Sequence, residues 1–538
     1  MEDKSLIYSI GNCPNGAESK VLCDILNQDH GNLILYLAEN EGKALKLRDL
    51  ISFFDPNIKT LYFPDWRSLP YDSVALKKHL VAQRVKFLFD LFGLLKTDQR
   101  ISKTIIITTV KSAIQKIPPK EFLKKNFLKI FSNQKIKQEL LVNFLTANGY
   151  SRTSLVQEYG DFSLRGDIID VFSSASKSPV RIDFFDNKVE SIRIFDPANQ
   201  RTIKSKEKIL LLPMSEFILD MNSIKLFREK YRNLFGTSAG KDQLYETVSS
   251  NMHYEGLEYW SPLFHHNMSD LFQLLLETRK QKIKIAFQKN TEDKINKTFD
   301  LIGELYSARL NDQNSKKILP PNYLYLNKTE WDDSMRTFEN IQFSPFKIID
   351  KEGNYHNLKN FKHTTSHFQK DRLRNVISVF KKSKNKKLIV AFDNKSSQKK
   401  LGNNFLKNYS KIKSWNDLDN QKFFSAVLDL DNGFTVDNVT FISETEAFGM
   451  KKKIAQNKEH RDPKDIISEI TSLSVGNLVV HKDHGIGRYD GLRSLRINHA
   501  LHDYLQVTYA REDKLFVPVE NIDILSSCLL YTSDAADE

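Results

Sequence analysis

The chain has 538 residues, 40% hydrophobic and 27% charged, which suits several soluble globular domains and excludes a single core or a disordered chain. Lysine and arginine total 80 against 67 acids, and the resulting +13 permits nucleic-acid contact without requiring it. Three cysteines, Cys13, Cys23 and Cys528, stand too far apart for a disulfide framework or a thiolate zinc site, and fit a reducing cytoplasm.

MEDKSL carries no secretory pattern, and no apolar run approaches the roughly 18 residues that span a bilayer. A cytoplasmic protein that crosses no membrane is expected. From Ser5 to Val110, short apolar runs alternate with segments of helical spacing. Strands are expected at Ser5 to Ile10, Leu33 to Leu37, Thr60 to Phe63 and Thr104 to Val110. Helices are expected at Ala17 to Asn27, Ala44 to Phe54 and Ala82 to Leu95. This rhythm predicts a parallel sheet covered by helices.

The first strand-to-helix connection runs from Gly11 to Glu18, with Gly11 and Gly16 spaced as in a phosphate-binding P-loop. A working P-loop continues with a lysine that reaches phosphate and a Ser or Thr that holds magnesium. Ala17 and Glu18 stand there instead, so this is a degenerate loop not expected to bind ATP. The stretch from Gly236 to Asp242 has the wrong spacing. Phe63 to Asp72 is an aromatic- and proline-rich loop whose expected role is packing onto the sheet.

Gly149 to Arg201 is β-rich, with turn signals at Gly160, Gly166, Ser173 to Ser178 and Asp186-Asn187. In Val180 to Phe185, Val180, Ile182 and Phe184 form an apolar face, while Arg181, Asp183 and Phe185 point the other way. An arginine beside an aromatic ring on a wet face has the composition of an interface hot spot. Leu210 to Pro213 reads as a strand running back toward the first domain. Residues 214–345 hold helical runs and the aromatic stretch Gly256 to Phe264. Residues 346–450 read as a second small α/β unit, with strands at Lys387 to Phe392 and Val439 to Ser443.

Val475 to Ser526 is again all β, with strands at Leu478 to His481, Tyr504 to Tyr509 and Lys514 to Val517, a hairpin turn at Arg511 to Asp513, and the size of a small barrel. His481, Asp483 and His484 lack a fourth ligand, so no metal is expected. Leu495, between Arg493 and Arg496, reads as barrel core or as an anchor for another protein's strand.

These segments together resemble the N-terminal half of the bacterial transcription-repair coupling factor family. Phe63 to Asp72 is similar to a segment that this family shares with UvrB. Glu158 to Phe172, Arg181 to Phe185 and Ser191 to Asp196 resemble the UvrA-binding domain of both. Gly256 to Phe264 resembles a coupling-factor segment; Val479 to Tyr489 and Asp513 to Glu520 resemble the CarD-type polymerase-interacting domain.

The resemblance implies a multidomain α/β chain: a degenerate P-loop-type parallel domain in two parts (1–130 and 214–345), a UvrA-binding β-rich insert (131–213) and a second small α/β domain (346–450). A charged linker (451–474), a small SH3/Tudor-like β-barrel that binds polymerase (475–526) and an anomalous tail (527–538) follow. It implies UvrA contacts at Arg165, Arg181 and Phe185, and contacts to the RNA polymerase β subunit at Leu495, with Arg493 and Ser494 beside it.

It also implies an adaptor without catalytic residues or a cofactor, and weak DNA contact. ATP and magnesium would serve the motor domains of a longer parent that translocates on DNA. The competing reading is a UvrB-like ATP-dependent damage-verification subunit, which Ala17 and Glu18 oppose.

Overall fold

The computed structural model describes residues 7–28, 33–67, 70–71, 76–95, 102–236, 242–254, 256–277, 282–311, 317–349, 354–363, 380, 386–405 and 409–448. It further describes 475–476, 478–481, 485–497, 500–509, 513–518 and 525–527. Residues 1–450 form one compact unit and 451–538 another.

The first unit opens with β1 (Ile7–Gly11), α1 (Glu18–Gln28), β2 (Leu33–Ala38), α2 (Glu41–Phe54), β3 (Lys59–Phe63), α3 (Lys78–Leu95) and β4 (Thr104–Thr109). Strands β2 and β4 are buried along their whole length, as central strands of a covered parallel sheet must be. Their side chains alternate between two cores. Leu33, Leu35 and Leu37 join Phe87, Leu88 and Leu91 of α3 on one side. Ile34 and Tyr36 join α1 and α2 on the other.

The insert comprises β5 (Leu128–Phe131), β6 (Ser151–Arg152), β7 (Asp161–Arg165), β8 (Ile168–Val171), β9 (Val180–Phe185), β10 (Lys188–Phe195), β11 (Thr202–Ser205) and β12 (Lys208–Leu211). Six of these form a sheet in the order β11-β10-β9-β8-β7-β6. Strand β12 pairs antiparallel with β5. The strand expected at Leu210 to Pro213 therefore closes the insert on itself. Ile209 and Leu211 face the same core as Ile182, Phe184 and Ile192, together with Leu141 and Leu145 of the helix Gln138–Ala147.

The chain then returns to the first sheet with β13 (Ile283–Gln288) and β14 (Glu339–Phe343), and adds β15 (Tyr355–Asn357). The completed sheet is parallel throughout, in the order β15-β1-β14-β13-β2-β4-β3. Strand β15, which sequence reading placed in the second α/β unit, thus belongs to the first sheet.

The loop after β3 packs as expected. Trp66 and Tyr71 are buried, and Trp66 meets Tyr259 of the Gly256 to Phe264 stretch edge-on at 5.1 Å. Beneath them Arg84 of α3 is fully buried. It donates to Glu216 (2.6 Å), the Pro64 carbonyl (3.0 Å) and Gln115 (2.8 Å), and lies over the Phe63 ring at 4.3 Å. Glu216 lies on the segment leaving the insert, so this pair ties the end of the insert to the core of its carrier.

The second α/β sheet consists of β16 (Phe361–His363), β17 (Lys387–Phe392), β18 (Ser410–Lys411), β19 (Phe423–Val427), β20 (Phe434–Val436) and β21 (Val439–Ser443). The two strands read from sequence, β17 and β21, are parallel neighbours. Phe424, Phe434 and Phe441 pack with α1 and α2 in one continuous core.

In the other unit β22 (Leu478–His481), β23 (Gly485–Ile497), β24 (Ala500–Thr508), β25 (Lys514–Pro518) and β26 (Leu525–Ser527) form an antiparallel sheet in the order β25-β24-β23-β22-β26. Its core is Val479, Tyr489, Leu505, Val507 and Val517. Asp483, His484, Arg511, Glu512, the 451–474 segment and residues 528–538 lie outside the described residues. No helix among the described residues is long and apolar enough to cross a membrane.

Candidate functional site

The alternation read in Val180 to Phe185 is present in β9. Val180, Ile182 and Phe184 are buried, whereas Phe185 is 74% exposed. The outward face is organised by a residue that sequence reading missed. Asp170 of β8 is opposite Arg181 in register and is fully buried. Its carboxylate accepts from Arg181 Nε (2.7 Å) and Nη2 (2.8 Å), and from Arg165 Nη2 (2.6 Å).

The Asp170 hydrogen bond raises the Arg181 pKa, with burial opposing it. Arg181 also lies over the Phe195 ring at 4.9 Å. A charged ladder continues across the sheet, where Arg193 donates to Asp183 at 2.6 and 2.7 Å. Arg165, Arg181 and Phe185 thus share one face, with both guanidiniums held in place and the ring left in solvent. A polar residue in the apolar run Ile168 to Val171 was the available signal for Asp170, but its partners lie on other strands.

Two hairpin tips flank Phe185. Gly166 (φ +57°) turns β7 into β8, and Asp186 (φ +54°) turns β9 into β10. The Phe184 amide donates to the Asp167 carbonyl at 2.8 Å, joining the tips. Gln138 donates to the Gly166 carbonyl at 2.9 Å. These bonds fix both tips, and with them the position of Phe185.

The Gly11 to Glu18 loop joins β1 to α1, but its glycines have a packing reason. A Cβ at Gly11 would stand 2.1 Å from Asn357 Oδ1, and one at Gly16 (φ +93°) 3.1 Å from the Phe434 ring. Amides that would cradle phosphate are already engaged. Asn12 and Cys13 donate to the carbonyls of Phe346 and Ser344 (both 3.0 Å), and Ala17 donates to that of Pro14 (2.9 Å).

The Gly16 amide donates to the Glu18 carboxyl at 2.5 Å, and Gln288 donates to it at 2.9 Å. Burial pushes Glu18 from 4.5 to about 7, against these hydrogen bonds, which favour the charged form. The adjoining cavity of about 60 Å³ has room for roughly four waters. Ligand pockets are typically about 300–1,000 Å³.

In the C-terminal sheet Leu495 pairs with His502, Ser494 with Asp503 and Arg493 with Tyr504. Arg493 Nε donates to Gln506 at 3.3 Å, and Leu492 beside it is 48% exposed. Leu495 and Ser494 are placed by their backbone in β23, and their side chains lie outside the described residues. No group of three or more His, Cys, Asp or Glu side chains among the described residues is arranged for a metal.

Two family models match the chain. The UvrB interaction domain covers residues 128–217, the segment that holds the Asp170 clamp and Phe185. The CarD-like/TRCF RID domain covers residues 473–529. The chain is similar to the transcription-repair-coupling factor of Rickettsia bellii, 29% identical over 97% of this chain and 46% of the relative. The Haemophilus influenzae protein of that name is 29% identical over 96% and 45%, and the Escherichia coli one 26% over 95% and 44%. The chain spans about half the length of these relatives. By these matches it is similar to about half of a transcription-repair-coupling factor, and it carries the two interaction domains that the family models describe.

Proposed function

We infer that this chain is the recruitment part of a transcription-repair coupling factor, linking stalled RNA polymerase to UvrA for nucleotide excision repair in the bacterial cytoplasm. UvrA docks on Arg165, Arg181 and Phe185. The β subunit of RNA polymerase docks on β23 at Leu495, with Arg493 and Ser494 beside it, in a domain that we read as an SH3/Tudor-like barrel. DNA contact by this chain is weak. ATP-driven translocation, with its ATP and magnesium, belongs to the motor of a longer parent.

The observation that carries the reading is Phe185, 74% exposed on the same sheet face as two arginines held by one buried carboxylate. A solvent-facing ring that shares a sheet face with ordered guanidiniums has the composition of an interface hot spot. The Gly11 to Glu18 loop opposes the competing ATP-dependent reading, because its Asn12, Cys13, Gly16 and Ala17 amides are engaged within the chain. The test is co-sedimentation of the purified chain with UvrA and polymerase without nucleotide. One ternary complex is expected. ATP turnover by the chain alone would favour the competing reading.

A further inference from the structure

Strand β23 carries a bulge. Its pairing with β24 shifts between Tyr489, opposite Val507, and Gly491, opposite Gln506, so Asp490 has no residue across from it. Gly491 supplies the positive φ (+106°) at this irregularity. Residues three apart on a regular strand point to opposite faces. Here the extra residue brings Asp490 and Arg493 to one side of the sheet, where both bond the Gln506 side chain. Asp490 accepts from Thr508 Oγ1 (2.5 Å), Gln506 Nε2 (3.2 Å) and Arg488 Nε (3.2 Å). Gln506 is buried, and its Oε1 accepts from Arg493 Nε at 3.3 Å. Arg493 is exposed, and its hydrogen bond among the described residues is to this neutral amide. Its charge is therefore presented to solvent.

We propose that Asp490 is a positioning residue of the polymerase-docking strand: it fixes the Gln506 amide, and the amide aims Arg493 at a carboxylate of the partner. This rests on the reading that polymerase docks on β23 at Leu495. A carboxylate only accepts hydrogen bonds and a guanidinium only donates them. Asp490 and Arg493 together thus permit one orientation of the amide between them. Without Asp490 the amide is free to turn its NH2 toward Arg493, and the guanidinium loses its acceptor. The sign of the effect is diagnostic. An acid that merely set the local charge would repel an acidic partner, and its removal would tighten binding. A positioning acid has the opposite effect.

The test is titration of RNA polymerase core enzyme into the full chain and its variants, with folding checked by circular dichroism. Asp490→Ala should weaken binding about fivefold. Asp490→Asn, which keeps a carbonyl to accept from Gln506, should recover most of that loss. Asp490→Ala should add nothing to Arg493→Ala, because no guanidinium is then left to aim. If Asp490→Ala does not fold, Gln506→Leu removes the same link and should show the same loss and the same dependence on Arg493. Binding by these variants as tight as wild type or tighter, or additive losses on combination with Arg493→Ala, would overturn the proposal. Leu495→Arg is the control. If it still binds polymerase, the docking reading and this proposal fall together. If it abolishes binding while Asp490→Ala binds like wild type, this proposal alone falls.

Discussion

Asp170 and Arg181 face each other across β8 and β9 and are joined by two hydrogen bonds of 2.7 and 2.8 Å. The Asp170 side chain is fully buried while the Arg181 side chain keeps 19% of its surface exposed. The acid therefore positions an arginine that still reaches solvent.

Asp170→Asn removes the charge and leaves two guanidiniums, Arg165 and Arg181, without their common counter-ion. The chain should lose about 2–4 kcal/mol of stability, below the full cost of breaking a buried pair because both arginines can turn to water. Urea unfolding followed by fluorescence measures this loss. UvrA binding should weaken as well, since the arginines lose their orientation.

Arg84 should be far less tolerant. It is fully buried and its Glu216 partner nearly so. Arg84→Ala strands Glu216 and removes the bonds to Pro64 and Gln115. A loss of about 3–5 kcal/mol is expected, read as the shift of the urea midpoint. Because Glu216 leaves the insert, limited proteolysis should cut near residue 216 sooner in the variant.

Glu18 sets a pH dependence. Its pKa is raised from 4.5 to about 7, so between these values the folded chain holds a proton that the unfolded chain releases. Stability from this group is therefore greatest below pH 4.5 and falls as pH rises through about 7. Wild type should lose about 2–3 kcal/mol relative to Glu18→Gln between pH 5 and pH 8. Parallel stability profiles of the two proteins would contradict this.

Leu495→Arg should abolish capture of the polymerase β subunit in a pull-down while leaving the circular-dichroism spectrum unchanged. Arg493→Ala should weaken capture less. Retained capture by Leu495→Arg would remove β23 from the interface.

The β9 face was legible in the sequence because strand periodicity is two: once Ile182 and Phe184 are inward, Phe185 must be outward. What makes that face specific was not legible. Asp170 meets Arg181 only through the β8–β9 register, which local sequence does not determine. Arg84 and Glu216 stand 132 positions apart. The Gly11 and Gly16 spacing suggested a phosphate loop, yet Asn357 and Phe434, distant in sequence, account for both glycines. Spacing alone cannot separate a glycine kept for a ligand from one kept for a neighbouring side chain. Strand β15 was missed because its three residues, Tyr355, His356 and Asn357, carry no apolar pattern and are placed by pairing with β1.

The central claim is that Phe185 is kept outside for a partner. The most direct measurement is a calorimetric titration of UvrA into wild type and Phe185→Ala, with urea stability measured alongside. A ring 74% exposed contributes little to folding, so stability should change by no more than about 0.5 kcal/mol. Binding should weaken by at least about 2 kcal/mol, roughly thirtyfold in Kd. Unchanged affinity for UvrA in a fully folded Phe185→Ala chain would contradict the account.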